Sequence, residues 1–207
     1  FIFLTAMKVA ANPPGYYYKD ASHVTIKTIY DGKGEVIGRQ EYVVTRTAGN
    51  WAYGKNTIIK PGEDSETTES AYQIDGTKLS IYMGKNESGQ DVVLDYGDAS
   101  YMANRIINQA NFETTNKVAG KEMKISCSIT SRKVVSSNEV IKSEAGQWNC
   151  IRTEYDVELR GRVLGIGFPV NVHVIEWFAP GVGIVRTDIY RKGKLQETRL
   201  LTGFRQV

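Results

Sequence analysis

The sequence is poor in the residues that build metal sites and disulfide frameworks. Its 207 residues include two cysteines, two histidines and five prolines. The histidines, His23 and His173, are far apart, and neither has a second ligand at the spacing of a metal site. No Cys-x-x-Cys pair, Gly-x-Ser-x-Gly turn or phosphate-binding glycine loop is present. We therefore expect no metal, no cofactor and no catalytic residues, and a protein that is not an enzyme.

The sequence also lacks a long hydrophobic run and a run of basic residues. No segment approaches the ~18 consecutive apolar residues of a membrane-spanning helix, so we expect no transmembrane segment. The net charge is +3 and the isoelectric point is about 8.7, with lysine and arginine scattered along the chain. This balance argues against nucleic acid as a partner.

The first residues allow two interpretations. Residues 1–7 are apolar and are followed by Asn-Pro-Pro-Gly at 12–15. They form either a buried first strand, which we favour, or the remnant of a signal-peptide core with a cleavage site near Ala10 and Ala11. Because there is no basic leader region and no initiator methionine, we expect a chain whose signal peptide has already been removed.

Composition and periodicity favour β-structure throughout. The chain has 12 tyrosines and 20 glycines, and valine, isoleucine and threonine recur in alternating patterns. Short turns separate the alternating segments, among them Ala179-Pro180-Gly181 and Lys192-Gly193-Lys194 near the C-terminus. Residues 61–70 are acidic and polar, which is typical of an exposed loop. Residues 101–109 leave room for at most one short helix.

These patterns predict one all-β domain over residues 1–207. About ten or more strands with short connections indicate a single antiparallel meander. Residues 148–160 are predicted to form one strand that ends at Gly161. Gly161, Gly165 and Gly167 lie within or between strands and indicate bends. We expect a curved sheet that closes into a barrel or half-barrel.

The two cysteines, Cys127 and Cys150, permit one disulfide at most. Alternation around Cys127 places it inward. Around Cys150 two phases compete, because Trp148 and Cys150 share one face while Ile151 and the odd-numbered residues after it share the other. A β-bulge near Cys150 would reconcile the two phases. The two thiols either form a disulfide or pack in the core as free thiols.

Two further groups of residues have a simple structural interpretation. Glu154, Asp156 and Glu158 share one face of a strand at a spacing that glycosidases use, but Arg152 and Arg160 flank them, so we interpret the group as a solvated, charge-balanced outer face. The aromatic residues could line a ligand cavity or form ordinary core and rim, and we favour the core. They are Tyr16, Tyr17, Tyr18, Trp51, Tyr53, Trp148, Trp177 and Phe178.

Two segments near the C-terminus carry a family resemblance. Residues 142–150 read KSEAGQWNC, and residues 177–185 read WFAPGVGIV. They resemble the T-P-A-G-T-F-x-C and W-Y-A-x-G-V-G-x-V motifs of domain of unknown function 3108 and its TapB-like relatives, secreted or lipid-anchored proteins of Gram-negative bacteria. The resemblance implies a barrel-like domain outside the cytoplasm, in the periplasm or associated with the outer membrane. It implies no catalytic residue, because the shared positions belong to turns and packing.

We therefore expect a non-enzymatic protein of the cell envelope that binds a lipid or another apolar small molecule on the concave face of its sheet. Alternation and glycine-induced curvature select the residues expected to line that face: Met123, Ile125, Ile129, Trp148, Val172, Val174 and Phe178. The alternative is a structural or protein-interaction module with a filled barrel, whose loops bind another envelope protein.

Overall fold

The computed structural model describes residues 15–76, 78–96, 110–118, 121–163 and 166–207, and at 114–118, 121–124, 162–163 and 166–168 it describes the backbone alone. The segments predicted as a first strand (1–7) and a short helix (101–109) lie outside the described residues. Every regular element in the described residues is a strand, and none of these residues forms a helix that is long and apolar enough to cross a membrane.

The described residues form twelve strands. They are β1 (His23–Asp31), β2 (Val36–Ala48), β3 (Trp51–Ile59), β4 (Glu66–Asp75), β5 (Lys78–Lys85), β6 (Asp91–Tyr96), β7 (Ala110–Val118), β8 (Lys121–Ser143), β9 (Gly146–Val163), β10 (Ile166–Ala179), β11 (Gly183–Arg191) and β12 (Lys194–Gln206). The predicted all-β meander is confirmed, since neighbouring strands pair antiparallel. Two boundaries were predicted wrongly. β4 begins at Glu66 inside the predicted loop, and β9 continues through Gly161 because that glycine still pairs with Phe168 and Ile125.

The sheet closes on itself into a barrel. β1 pairs with β12, and β4 pairs with β5. Leu79 of β5 pairs with both β4 and β6, and Lys85 pairs with both β6 and β7. β4 and β7 therefore lie on the same edge of β5, and eleven of the described strands form the ring while β6 is attached to the other edge of β5. Gly84 allows the approach of β7, because a Cβ there would lie 2.4 Å from the Glu113 carbonyl oxygen.

β8 carries three irregularities in its pairing with β9. One extra residue of β8 is accommodated between Thr130 and Lys133, another between Val134 and Ser136, and a third between Ser136 and Glu139. Each extra residue reverses which side chains face the inside of the barrel. Cys127 and Ile129 are buried, and beyond the first bulge Arg132 is buried as well, although it is out of phase with them.

The two phases around Cys150 meet where the pairing of β9 with β10 ends. The prediction of a bulge near this residue is correct in position, but the extra residues belong to β8, the strand that pairs with it. Cys150 and Ile151 are consecutive residues of β9, and both are fully buried. Ile151 is the last residue of β9 that pairs with β10, and Cys150 lies beyond it on the β8–β9 hairpin.

The two cysteines are free, so the disulfide considered from the sequence is not formed. Cys127 pairs with Leu159 of β9, nine residues from Cys150 on the same strand. At about 3.3 Å per residue this places the two cysteines about 30 Å apart, far beyond the reach of a disulfide.

Candidate ligand-binding cavity

Three consecutive tyrosines close one end of the barrel. Tyr16, Tyr17 and Tyr18 precede β1, and each is at most 5% exposed. Three successive side chains cannot all face one side of a strand, and here the chain forms a turn instead. The Tyr17 amide donates a 3.2 Å hydrogen bond to the Val182 carbonyl, which fastens the turn to the β10–β11 connection. These tyrosines belong to the core, as the sequence analysis favoured, and two of them also line a cavity.

The rings form a compact cluster inside the barrel. Tyr18 stacks on Tyr72 with centroids 4.1 Å apart and meets Tyr42 edge-on at 5.5 Å. The Tyr17 hydroxyl donates a 2.5 Å hydrogen bond to the Tyr18 hydroxyl. Burial raises the pKa of all four phenols. The hydroxyls therefore stay protonated and remain able to donate hydrogen bonds.

Beside the cluster lies a cavity of about 180 Å³. Its lining is mixed in chemistry and comes from the tyrosine turn, from β1–β5 and from β10–β12: Tyr17, Tyr18, Thr25, Lys27, Gln40, Tyr42, Asn56, Tyr72, Ile81, Glu176, Ile184, Thr187, Ile189 and Arg199. Gln40 donates a hydrogen bond to Asn56, which in turn donates to the Tyr72 hydroxyl at 3.3 Å. The walls thus offer aromatic faces together with polar groups that are held in place.

Lys27 is the basic residue of this cavity that lacks an ion-pair partner. No carboxylate in the described part of the chain lies within ion-pair distance of its ammonium group, which instead sits 5.7 Å from the centroid of the Tyr17 ring. Arg199, by contrast, pairs with Glu197. Burial lowers the pKa of Lys27 to about 8, with Arg199 acting in the same direction and Glu176 opposing both.

Glu176 connects the cavity to a second group of buried polar residues. Its carboxylate accepts a 2.6 Å hydrogen bond from the Tyr96 hydroxyl of β6, so the end of β6 reaches inside the barrel. The Arg132 guanidinium lies 4.5 Å from the Tyr96 ring centroid, and its Nη2 donates to the Asp95 carbonyl at 3.2 Å. Burial and the nearby Glu176 charge raise the pKa of Tyr96 and of Tyr155.

Five of the seven residues predicted to line a ligand site belong to or border one hydrophobic cluster, and Trp148 is a member. Ile129, Val174 and Phe178 are buried in the hydrophobic cluster, Val172 packs against it, and Ile125 is half-buried. Trp148 is buried on the β8–β9 hairpin, beyond the last β10 pair. Met123 lies in the part of β8 whose side chains are outside the described residues. Whether any of the seven binds a ligand stays a prediction, because the cavity beside the tyrosines is lined by other residues.

Lys27, Glu176 and Arg132 were not identified from the sequence as buried polar residues, although the sequence indicates two of the three. Glu176 stands between Val174 and Phe178 in the inward phase of β10, where a charged residue breaks the apolar pattern. Lys27 lies between Thr25 and Ile29, and this face of β1 turns inward. Arg132 gave no signal, because its inward direction depends on the first bulge of β8.

The outer face of β9 and β10 is charge-balanced, as predicted. Glu158 pairs with Arg160, Glu154 with Lys133 and Arg152, and Asp156 with His173 at 2.9 Å. His173 is partly exposed on this face and is hydrogen-bonded to the Asp156 carboxylate. An open groove of about 460 Å³ runs along this face and includes Val172 and Tyr190 in its lining.

Two solved structures share the fold. One is a candidate lipoprotein from Parabacteroides distasonis ATCC 8503, 18% identical, with a TM-score of 0.70, covering 93% of this chain and 99% of the other. The second is a candidate exported protein with a YmcC-like fold from Bacteroides fragilis NCTC 9343, 15% identical, with a TM-score of 0.69, covering 93% of this chain and 100% of the other. At these identities the likeness shows the fold alone. A comparison with curated proteins found no match.

The family is established by a match along most of the chain. The model of the DUF3108-like family matches residues 16–201, from the tyrosine turn to β12. This range includes both C-terminal motifs and the cavity, and the resemblance noted in the sequence is confirmed. The chain belongs to the DUF3108-like family.

Proposed function

We propose that this chain is a non-enzymatic binding protein of the cell envelope that holds a small organic ligand inside its barrel. The observation that carries the proposal is the cavity of about 180 Å³ beside the tyrosine cluster, where Lys27 has no ion-pair partner in the described part of the chain. Concave sites that combine aromatic walls with a few fixed polar groups are typical of small-molecule binding.

The size of the cavity favours a small ring-containing ligand over the lipid that the sequence suggested. An apolar cavity of about 150 Å³ accommodates benzene, so a cavity of about 180 Å³ suits a ligand of one six-membered ring with a small substituent. A complete acyl chain needs more room. The tyrosines, Gln40 and Asn56 also make this cavity more polar than an acyl-chain site.

The protonation state of the tyrosines inside the barrel is consistent with binding and not with catalysis. Because burial keeps the phenols of Tyr17, Tyr18, Tyr42 and Tyr72 protonated, they serve as hydrogen-bond donors and not as proton acceptors. An extracytoplasmic location is part of the proposal and is supported by the names of the two structural neighbours, a candidate lipoprotein and a candidate exported protein.

Native mass spectrometry of protein purified gently from its own envelope tests the proposal. We expect a discrete additional mass that disappears after extraction with organic solvent. Thr187 lines the cavity, so Thr187→Phe should fill it and abolish the additional mass. Thr45→Phe makes the same change at an exposed position and should leave the mass in place. An additional mass retained in a folded Thr187→Phe protein would show that the ligand sits elsewhere.

A second candidate function is supported by the β3–β4 hairpin. Residues 61–69 are all exposed, and they include Glu63, Asp64, Glu66 and Glu69. A solvated acidic tip of this kind suits contact with a basic surface of another envelope protein. Replacing the four acidic residues with their amides should then abolish crosslinking to that partner without altering the circular dichroism spectrum. Unchanged crosslinking would exclude the hairpin as the contact.

A further inference from the structure

Lys27 is a cation on the wall of the cavity, and its charge has no counter-ion there. In the described part of the chain no carboxylate lies within ion-pair distance of its ammonium group, which is 5.7 Å from the Tyr17 ring centroid. The negative face of a ring offsets only part of the cost of withdrawing an ammonium group from water. A lysine in this position is therefore suited to pair with an anion that enters the cavity.

The other charged residues in the described wall of the cavity already have partners. Arg199 of β12 pairs with Glu197. Glu176 of β10 accepts the 2.6 Å hydrogen bond of the Tyr96 hydroxyl. Glu176 attracts the Lys27 charge from beyond ion-pair distance, and Arg199 repels it. Because neither residue neutralises Lys27, the wall keeps a positive potential at this point.

The neighbours of Lys27 suit a planar acid group. Gln40, which also lines the cavity, is the direct partner of Lys27 in the pairing of β1 with β2. The Gln40 side-chain amide donates a 3.1 Å hydrogen bond to Asn56, and its second N–H has no partner among the described residues. A carboxylate at Lys27 would thus meet a cation and an amide donor, with the rings of Tyr17 and Tyr18 in the same wall.

We propose that the ligand of this cavity is a small organic anion, such as an aromatic carboxylate, and that the ammonium group of Lys27 binds its charged group. This inference rests on the proposed binding function and adds the chemical class of the ligand. A charge-assisted hydrogen bond between ammonium and carboxylate is stronger inside the barrel than in water, because the dielectric constant is lower there. A single unpaired cation favours a ligand with a single negative charge.

Benzoate and benzamide form a matched pair of probes, because they have the same ring and nearly the same shape and differ in charge. Thermal unfolding of the whole chain is followed at pH 7 with each compound from 0 to about 10 mM, since a ligand that binds the folded state alone raises the Tm with its concentration. We expect benzoate to raise the Tm in a saturable manner, with an apparent affinity at least about tenfold higher than that of benzamide.

The affinity for benzoate should fall between pH 7 and pH 9. Benzoate stays ionised over this range, whereas Lys27 loses its proton, because burial lowers its pKa to about 8. If only the ammonium form binds the anion, the apparent affinity is about tenfold lower at pH 9 than at pH 7. Burial keeps the phenols of the cavity protonated over the same range. The titratable and charged groups around Lys27 in this wall are Tyr17, Tyr18, Tyr42, Tyr72, Glu176 and Arg199.

Variants of Lys27 isolate its role from that of these neighbours. Lys27→Met removes the charge and should abolish both the preference for benzoate over benzamide and the pH dependence of benzoate binding. Lys27→Arg carries a cation that keeps its proton at pH 9, so it should retain the preference at that pH. Lys33→Met removes a lysine at an exposed turn and should respond as the unmodified chain does.

The opposite results overturn defined parts of the proposal. A folded Lys27→Met protein that still prefers benzoate would show that Lys27 does not bind the charged group. A response of the unmodified chain to benzamide that equals or exceeds its response to benzoate would refute the anion preference and leave binding in the cavity standing. No response to either compound, together with no additional mass in native spectra, would refute binding in the cavity itself.

Discussion

The indole N–H of Trp177 donates a 2.7 Å hydrogen bond to the carboxylate of Glu139. Trp177 belongs to the outer face of β10, and Glu139 follows the last bulge of β8, two strands away in the sheet. Arg152, on the strand between them, lies 3.5 Å from the same carboxylate and 5.7 Å from the indole centroid. These contacts link β8, β9 and β10 side by side in the barrel.

Glu139→Ala should destabilise the protein by about 1–2 kcal/mol, because it removes a charge-assisted hydrogen bond to a buried indole. Glu139→Gln keeps an acceptor for Trp177 and should cost less. Glu144→Ala, at an exposed position in the adjoining turn, is the control and should be neutral. Urea unfolding measures all three, and equal stability of Glu139→Ala and the unmodified chain would refute a stabilising role for the contact.

Gly183→Ala should be much more damaging than Gly181→Ala. Both glycines have positive φ, +127° at Gly183 and +78° at Gly181, so an alanine is strained at either position. A Cβ at Gly183 would also lie 2.6 Å from the Tyr17 ring and 2.7 Å from the Tyr18 ring, whereas Gly181 has open space. We expect a loss of about 1 kcal/mol for Gly181→Ala and about 3 kcal/mol for Gly183→Ala.

Chemical denaturation measures both glycine variants. Similar losses would mean that the tyrosine turn moves away easily and does not press on the β10–β11 connection.

Lys27 should make stability depend on pH between 7 and 9. Its pKa is about 8 in the folded protein and 10.5 in the unfolded chain, so over this window the unfolded state binds more protons and the lysine's contribution to stability rises with pH. Removing the charge in Lys27→Met should therefore stabilise the protein more at pH 7 than at pH 9. We expect the advantage of the variant to shrink by about 1 kcal/mol over this window.

The comparison with Lys27→Met is needed because other buried groups oppose this trend. Burial raises the pKa of Cys127 and Cys150 and of the lumen tyrosines, and these groups favour unfolding as the pH rises. They are present in both proteins, so the difference isolates Lys27. Lys33→Met, at an exposed turn, should show no such pH dependence. A constant advantage of Lys27→Met at both pH values would refute the lowered pKa.

Both cysteines should be free and unreactive in the folded protein. Burial raises the pKa of Cys127 to about 11 and that of Cys150 to about 12, so few thiolates are present at pH 8 and neither is accessible. Alkylation in denaturant without a reductant should add two groups by mass, whereas alkylation of the folded protein should add almost none. A mass lower by two hydrogen atoms, with no alkylation in denaturant, would reveal a disulfide.

Local sequence chemistry was sufficient for most of the fold. The turns at Ala179–Gly181 and Lys192–Lys194 and the alternation beside them predicted hairpins where the structure has them. These features depend on residues next to one another in the chain, which a single sequence displays. The bulges of β8 were harder to predict, since each extra residue is defined by its pairing with β9.

The cavity could not be predicted because its contacts join distant parts of the chain. Tyr96 and Glu176 are 80 residues apart, and Tyr17 contacts Ile184 across 167 residues. The apolar alternation in β8 and β10 identified residues of the core, such as Ile129 and Phe178, but did not show which part of the lumen stays open. Polar residues in an inward phase, such as Lys27 and Glu176, were the better indicators.

The pairing of β1 with β12 has a consequence for the rate and hazards of folding. His23 pairs with Gln206 and Asp31 with Glu197, so the strands that join are separated by most of the described chain. Folding is slow when such a long loop must close, because the chain loses conformational entropy before the β1–β12 contacts can offset that loss. Until β12 has paired, β1 and β11 each have an unpaired strand edge. In such a partly folded molecule these edges can pair with strands of another molecule and cause aggregation. Slow refolding at low concentration and aggregation at high concentration would both depend on how soon β12 pairs with β1 and β11.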